Sequence, residues 1–436
     1  MNHRPLRTVL LCLLATAIPA SILHAQEGHD KLAAPSIKLK TTRLKKLRET
    51  EAYLLEMKSL TDAELKGRSR EFKVAGAFLH LGNSLSLIGD QEAAIEAINS
   101  QIQLSHEMEK KQGLAPSLPY EMGDETLVSG AESENILVLD AISEIVKQAK
   151  NRQIIMLNEA HHLPMHRAFA MKLAKELKRI GFTYLACEAF SPWDEKPLAK
   201  KYVSDAMGLY TLEPMFANFI NSAIEDDWKL ISYEAPTATR ELDMAKNLME
   251  KIFKKDPNAK VFVYAGYGHI YKHPEANSKP KHAMMAAQLK MLSGIDPFVI
   301  EQTQMSPIFQ SKQQQDMYKK VQSRFKITKP SVLATKSGHY VRLGIQQKVV
   351  DMQIVYPHYR LDKVTHREAW LESIAEFKPK DIPINLLPKN GVRLIYAYRQ
   401  DDPLDATPID LVLVDVKKPL PKLMLPAGQF RFATED

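Results

Sequence analysis

The chain has 436 residues, of which 45% are hydrophobic and 25% charged, a composition typical of globular proteins with two or three domains. Its formal net charge is +7, and its Lys and Arg residues are interspersed with Asp and Glu. This mixture indicates a solvated surface and argues against a basic nucleic-acid-binding stripe.

The first residues are typical of a secretory signal peptide. Arg4 and Arg7 precede the apolar run TVLLCLLATAI, and Ala25 is a small residue suited to cleavage. We therefore expect residues 1–25 to be removed and the protein to be exported to the periplasm or the extracellular space. Cleavage would leave Cys187 without a disulfide partner, and no later segment is apolar for long enough to cross a bilayer.

Residues 26–115 are predicted to be helical. Phe78, Leu81, Leu85 and Ile88 recur at intervals of three and four, and the stretch FLHLGNSLSLIGDQEAAIEAI resembles one tetratricopeptide-like hairpin. One unit is too few for a stacked array, so we favour a hairpin packed on the rest of the chain. A protein partner bound to these helices is the alternative.

Residues 130–305 alternate short apolar runs with amphipathic helices, after a linker rich in Pro, Gly and Ser. The runs are QIIML, FTYLAC, KLISY, KVFVYA and PFVI, and helices are predicted at about 168–180, before 227, at 239–254 and at 283–292. This alternation is typical of β-α units that wind a parallel sheet. Because the runs are apolar throughout, both faces of the sheet should be buried.

Residues 306–436 are predicted to form a small β-rich module. The runs SGHYVRLGI, VVDMQIVY, GVRLIYAYR, IDLVLVDV and GQFRFAT read as strands, and KKPLPKLMLP reads as an edge connection. The complete prediction is an α/β fold: a parallel-sheet core flanked by helices, with a helical N-terminal region and this C-terminal module.

Polar residues follow each apolar run of the central region. They are Glu159, Glu188, Glu234, the Gly266–His269 turn and Glu301. Parallel strands end at the same edge of a sheet, so these residues should line one crevice. A cap or loop role is favoured for Glu234, and Glu301 is an equally weak candidate for a functional residue. Glu159 and Glu188 are stronger candidates, because neighbouring carboxylates require a cation or raise a pKa.

Three histidines fall within six positions beside Glu159. His162 and His166 are four residues apart, a spacing suited to metal ligands or acid/base pairs if a helix begins near Pro164. His161 should lie in the loop above the sheet. A divalent metal, if one binds, would take its ligands from Glu159, His161, His162, His166 and His269.

Two further features belong to the same edge. In VYAGYGHIYK two glycines bracket Tyr267 ahead of His269, which would let the loop aim both side chains over the sheet, although a plain turn is the alternative. Arg240 begins a predicted helix and is an anion clamp, a carboxylate partner or an exposed first-turn residue.

The segments LNEAHHLPMHR, LACEAF, TRELDMAKNL and VFVYAGYGHIYK, in this order, resemble the superfamily that joins ChaN-like haem-binding uptake proteins, TIKI and TraB-type proteins, and erythromycin esterases. The similarity covers roughly residues 136–304. It implies functional roles for Glu159, His161, Glu188, Arg240 and His269. Members commonly have Gly where this chain has Asn158. Because members include haem binders, metal-dependent proteases and metal-free esterases, the resemblance does not decide the activity.

Two functions therefore stay open from the sequence. In an exported hydrolase acting on a small molecule or peptide, His161 or His269 would take a proton from water. Glu159 or Glu188 would orient the imidazole, and Arg240 would hold negative charge. No Gly-x-Ser-x-Gly elbow is present, which favours activated water, free or metal-bound. The alternative is a non-catalytic haem or iron-ligand binder that uses Tyr267, Tyr271 or His269.

Overall fold

The computed structural model of the protein describes residues 37–38, 43–61, 64, 70–111, 124–129, 131–272, 283–307, 312–344 and 349–436. The predicted signal peptide lies outside these residues. Among the described helices, none has the length and apolar character needed to span a bilayer.

The described residues form both α-helices and β-strands, which are numbered separately in chain order. The helices are α1 (Arg43–Ser59), α2 (Arg70–Leu87), α3 (Gln91–Lys111), α4 (Glu125–Ser129), α5 (Ala141–Ala149), α6 (Pro164–Arg179), α7 (Pro214–Glu225), α8 (Arg240–Leu248), α9 (Met285–Ser293), α10 (Lys312–Phe325) and α11 (Trp370–Ser373). The strands are β1 (Ile37–Lys38), β2 (Ile136–Asp140), β3 (Ile154–Glu159), β4 (Tyr184–Cys187), β5 (Lys229–Ser232), β6 (Val261–Gly266), β7 (Phe298–Glu301), β8 (Ser331–Thr335), β9 (Met352–Gln353), β10 (Lys378–Lys380), β11 (Val392–Arg399), β12 (Asp410–Asp415), β13 (Leu423–Leu425) and β14 (Phe430–Glu435).

The core is a six-stranded sheet in the order β5-β4-β6-β3-β7-β9, and every neighbouring pair is parallel. The predicted α/β fold is therefore confirmed, with its helical N-terminal region and its small antiparallel C-terminal module. In the register of β3 with β6, Glu159 pairs with Gly266. All residues of the two central strands are buried, as their apolar sequences predicted.

Helices cover both faces of the sheet. On one face α6 and α7 contribute Phe169 and Phe219 to the cluster that contains Leu157 of β3. On the other face α8 and α9 contribute Met244 and Leu289 to the cluster around the opposite side chains of the same strands. Burying each such side chain stabilises the fold by about 1.5–3 kcal/mol.

The N-terminal helices pack on the C-terminal module. A hairpin of α2 and α3 is present as predicted, with Gly89 in its turn at φ +81°, and α1 packs beside it. Leu85 and Ile88 join a cluster with Tyr396 of β11. Since β1 also pairs with β14, the two ends of the described chain form one unit. This unit reaches the functional edge of the sheet, where Ile95 of α3 contacts the loop after β3.

Several element boundaries differ from the sequence prediction. Helix α6 begins at Pro164 instead of about residue 168, because proline fits the first turn of a helix. Within the described part of SGHYVRLGI, residues 337–344, no strand forms: the strand β8 precedes it, and an isolated bridge joins Tyr340 to Ala334. VVDMQIVY contributes β9 to the core sheet and not to the C-terminal module. The segment KKPLPKLMLP contains β13, and α10 was not predicted.

Candidate functional site

Three adjacent strands bring the predicted residues to one edge. Strand β6 lies between β3 and β4, so Gly266 at its end is flanked by Glu159 and Glu188. The backbone amide of Gly266 donates to Oε2 of Glu188 over 2.5 Å. His161 and His269 follow β3 and β6 in their loops, so the strand ends converge as predicted.

Glu159 is held by a buried arginine that sequence analysis did not select. Arg167 of α6 donates from Nε to Oε2 of Glu159 over 2.8 Å and from Nη2 to Oε1 over 3.0 Å. The Tyr264 hydroxyl adds a third hydrogen bond, to Oε2, over 2.8 Å. Burial would raise the pKa of Glu159, but the charge of Arg167 and the hydrogen bonds from His161 and Arg167 outweigh it, so the pKa lies well below its usual range. Glu159 is therefore a permanent carboxylate.

Arg167 is held from its other side by Glu213, which accepts from Nη1 over 2.9 Å. Glu213 is also the N-cap of α7 and accepts from the amides of Met215 and Phe216 over 2.8 Å each. Arg167 donates as well to the carbonyl oxygen of His161 over 2.7 Å. One fully buried guanidinium thus fixes the side chain of Glu159 and the backbone of His161 together.

His161 receives a defined orientation from these neighbours. Its Nδ1 lies 2.8 Å from Oε1 of Glu159. Because a carboxylate only accepts, Nδ1 carries the proton and Nε2 of the neutral ring has a free lone pair. The ring is stacked on Tyr210 at a centroid distance of 4.3 Å and meets Tyr267 edge-on at 5.2 Å. Within the described chain Nε2 has no hydrogen-bond partner, and the side chain is partly exposed.

Arg240 is a carboxylate partner and not a free anion clamp. Its guanidinium donates to Glu188 over 2.7 Å and to Oε1 of Glu234 over 2.7 Å, and its Nη1 lies 2.9 Å from Nε2 of His269. A second, short hydrogen bond joins it to Oε2 of Glu234. Glu234, for which a cap or loop role was favoured, therefore belongs to the site.

His269 joins this cluster through both ring nitrogens. Nδ1 lies 3.0 Å from Oε2 of Glu241, and Nε2 lies 3.5 Å from Oε1 of Glu188 besides its contact with Arg240. Burial opposes protonation of the ring, but the charges of Glu188 and Glu241 outweigh it and raise the pKa of His269. Burial likewise opposes ionisation of Glu188, yet His269, His161 and Arg240 lower the pKa of this carboxyl to about 2. The cluster thus brings three carboxyl groups, those of Glu188, Glu234 and Glu241, around Arg240 and His269.

His162 and His166 are not at the open part of the site. Both are buried, and Nδ1 of His166 accepts from the Ala160 amide over 3.1 Å. Nε2 of each ring has no hydrogen-bond partner among the described residues. Burial lowers the pKa of both histidines to about 3. They are neutral packing residues at neutral pH.

This burial predicts a pH dependence of stability. The folded-state pKa of about 3 lies below the ordinary value of 6.5. The free energy of unfolding is therefore highest above pH 6.5 and decreases as the pH falls towards 3, because in this range the unfolded chain binds protons that the folded protein does not. Each histidine contributes a slope of about 1.4 kcal/mol per pH unit inside this window. His162→Phe should reduce the slope of unfolding free energy against pH between 6 and 4 by about that amount, measured by urea denaturation. An unchanged slope would contradict the assignment.

The predicted metal ligands do not converge. Among the residues that the structure describes, no group of three or more His, Cys, Asp and Glu side chains is arranged to hold a metal ion. Both oxygens of Glu159 are occupied by Arg167, and His161 bonds to the same carboxylate. His269 lies in the Arg240 cluster, separate from the buried His162 and His166.

The predicted iron ligands also face protein groups. Both ring nitrogens of His269 are engaged, and Tyr271 is only 6% exposed. The Tyr267 hydroxyl points to Nδ1 of His162 at 3.5 Å. In this arrangement the three side chains do not fit the role of a haem ligand.

Two further residues have structural roles. Cys187 is fully buried, and burial raises the pKa of its thiol, which agrees with the small hydrophobic role expected for it. Glu301 accepts from the Thr303 and Gln304 amides over 2.5 and 2.8 Å and from Gln353 over 3.1 Å, so it closes the turn after β7.

Comparisons with known proteins give weak likenesses. No family model matches the chain, and no curated protein does. Similar solved structures include the type III effector HopBA1, at 14% identity and a TM-score of 0.29 over 41% of this chain and 90% of that one. Another is the MARTX toxin effector domain RRSP of Vibrio vulnificus, at 13% identity and a TM-score of 0.28 over 64% of this chain and 66% of that one.

Proposed function

We propose that the protein is a hydrolase in which His161 is the general base that activates water. The observation that carries the proposal is the 2.8 Å contact of Glu159 with Nδ1 of His161, made by a carboxylate that Arg167 keeps ionised. This pairing leaves Nε2 as a proton acceptor at the partly exposed edge of the sheet. A carboxylate that orients an imidazole in this way is a recurrent device of acyl-transfer enzymes.

The reaction follows from these positions. Nε2 of His161 removes a proton from water while the water oxygen forms a bond to the carbonyl carbon of an ester or amide. The carbonyl π pair moves to oxygen and gives a tetrahedral oxyanion. When the bond to the leaving group breaks, the imidazolium returns its proton to that group. Glu159 stays ionised throughout and stabilises the imidazolium. The cluster of Arg240, Glu188, Glu234 and His269 lies beside Gly266 and borders the site.

Gly266 provides the space that His161 occupies. A Cβ at this position would lie 2.3 Å from Cε1 and 2.4 Å from Nε2 of His161, although the backbone φ of −76° suits any residue. Gly266→Ala should therefore displace the ring and lower kcat by about 10²-fold, because small misplacements of a catalytic group are costly. Thermal unfolding should show a folded variant. Activity within threefold of wild type would contradict this placement of His161.

The proposal is tested by a hydrolysis assay on p-nitrophenyl acetate and a panel of esters and peptides. Wild-type protein should hydrolyse at least one, and His161→Gln should lose the activity. The matched control is His106→Gln, since His106 is exposed on α3. Equal rates for wild type and His161→Gln, or no hydrolysis of any panel member, would count against the hydrolase.

We also propose that the chain is exported and that it belongs to the ChaN-like, TIKI and erythromycin esterase superfamily. The charged and apolar pattern of residues 1–25 and the four motifs support these two statements. Expression with the native N-terminus in a bacterium should give a periplasmic protein that begins at Gln26, as read by N-terminal sequencing. A cytoplasmic protein that retains Met1 would contradict export.

A further inference from the structure

Water activation leaves the negative charge of the tetrahedral intermediate without an obvious partner. Arg240 was the sequence candidate, but its hydrogen bonds go to Glu188, Glu234 and His269. His269 in turn contacts Glu241 and Arg240. An oxyanion would have to compete with carboxylates for these donors. The site therefore needs another donor, one that no carboxylate already occupies.

Tyr210 is in the right place for this role. It lies in a short 3-10 helix, Leu209–Leu212, and its ring is stacked on His161 at a centroid distance of 4.3 Å and an interplanar angle of 14°. The guanidinium carbon of Arg167 also lies over this ring, 5.4 Å from its centroid. The residue is half-buried at the open edge of the site.

The backbone holds this segment against the loop after β4. Gly208 has φ +151°, and a Cβ there would lie 1.8 Å from the carbonyl oxygen of Ala189, the residue after Glu188. Only glycine allows so close an approach. The segment of Tyr210 therefore contacts two strand ends. Its ring stacks on His161, which follows β3, and its neighbour Gly208 packs on Ala189, which follows β4.

The hydroxyl of Tyr210 has no hydrogen-bond partner within the described parts of the chain, whereas the hydroxyl of Tyr264 binds Glu159. Burial raises the pKa of Tyr210, and the charge of Glu188 raises it further, so the phenol stays protonated at any working pH. The hydroxyl is therefore a neutral hydrogen-bond donor that is available to an acceptor on a bound substrate.

We propose that the Tyr210 hydroxyl donates a hydrogen bond to the substrate oxygen that becomes negative when water adds, and that Tyr210 is thus a second catalytic residue beside His161. The inference rests on the proposed hydrolase function and names its oxyanion donor. The phenol keeps its proton throughout. Tyr267 is a weaker candidate, because its hydroxyl lies 3.5 Å from His162 and also has a backbone hydrogen bond with His161.

Tyr210→Phe keeps the stacked ring and removes the donor alone. With p-nitrophenyl acetate it should lower kcat by about 10²–10³-fold, the usual cost of one oxyanion donor, with little change in KM. The matched control is Tyr202→Phe, since the Tyr202 hydroxyl bonds to Asp405 away from the site. The control should match wild type.

Binding measurements make the test independent of turnover. The monoanion p-nitrophenyl methylphosphonate resembles the tetrahedral intermediate, and neutral p-nitroacetanilide resembles the ground state. By calorimetry, Tyr210→Phe should bind the phosphonate at least about tenfold more weakly than wild type and bind the anilide equally.

Three results would overturn the role of Tyr210. They are a wild type that does not bind the phosphonate, an equal loss for both ligands in Tyr210→Phe, and a larger loss of phosphonate affinity in Tyr267→Phe than in Tyr210→Phe. The two proposals fail separately. If His161→Gln is inactive while Tyr210→Phe behaves as wild type, the hydrolase stands and the donor is wrong. If His161→Gln retains full activity, the general base is wrong.

Discussion

Glu159→Gln is expected to lower kcat by about 10⁴-fold with little change in KM, by analogy with loss of the orienting carboxylate in serine proteases. The amide has nearly the shape of the carboxylate, but it loses the negative charge that stabilises the imidazolium. It also allows the His161 ring to move its proton to Nε2, which would then be unable to accept one from water. Steady-state kinetics on the best ester of the panel measures the effect.

Glu213→Gln is the control for this variant. Glu213 contacts the same guanidinium of Arg167 over 2.9 Å, so its loss perturbs the same buried network. It does not contact His161, and its activity should stay within about tenfold of wild type while its stability falls by about 1–3 kcal/mol. Equal losses of activity in the two variants would show that Glu159 acts only through the fold.

Arg167→Met is expected to lower the free energy of unfolding by about 3–5 kcal/mol, because it leaves Glu159 buried without its cation. Arg167 and Glu159 are 0% and 2% exposed. The remaining hydrogen bonds to Glu159, from Tyr264 and His161, do not replace a bidentate guanidinium. Urea denaturation at pH 8 measures the loss, and the activity should fall with it.

The destabilisation should shrink as the pH is lowered. Without Arg167 the pKa of Glu159 rises through burial, so acid can neutralise the carboxyl and remove the penalty. The gap between wild type and Arg167→Met should therefore be smaller at pH 5 than at pH 8. Arg179→Met breaks only an exposed pair with Glu176 and should cost less than about 1 kcal/mol. If Arg167→Met lost as little stability as Arg179→Met, the buried network would be contradicted.

The core sheet could be predicted from sequence because its strands are continuous apolar runs with a polar residue at each end. QIIML, FTYLAC and KVFVYA became β3, β4 and β6 at their expected places. The strands after residue 305 were harder to predict, because short strands contain too few residues to show a clear alternation of apolar and polar positions. Strand β9 has two residues, and only its pairing with β7 assigns it to the core sheet.

The site could be predicted in part. Residues at strand ends converge by topology, so Glu159, Glu188 and the His269 turn could be placed on one edge. Side-chain partners depend on distances that the spacing of residues does not give. Arg167 follows Glu159 by eight residues, and its pairing appears only once α6 folds back over β3. Glu213, which precedes Pro214, had the signature of a helix start and no sign of its contact with Arg167.

The tautomer of His161 decides whether this residue can be the general base, because every proton transfer depends on which ring nitrogen holds the proton. Nitrogen-15 NMR of labelled protein distinguishes protonated from unprotonated imidazole nitrogens, and His161→Gln assigns the signals. If His161 is the general base, the neutral ring carries its proton on Nδ1 and a free lone pair on Nε2. A proton found on Nε2, with Nδ1 unprotonated, would contradict it.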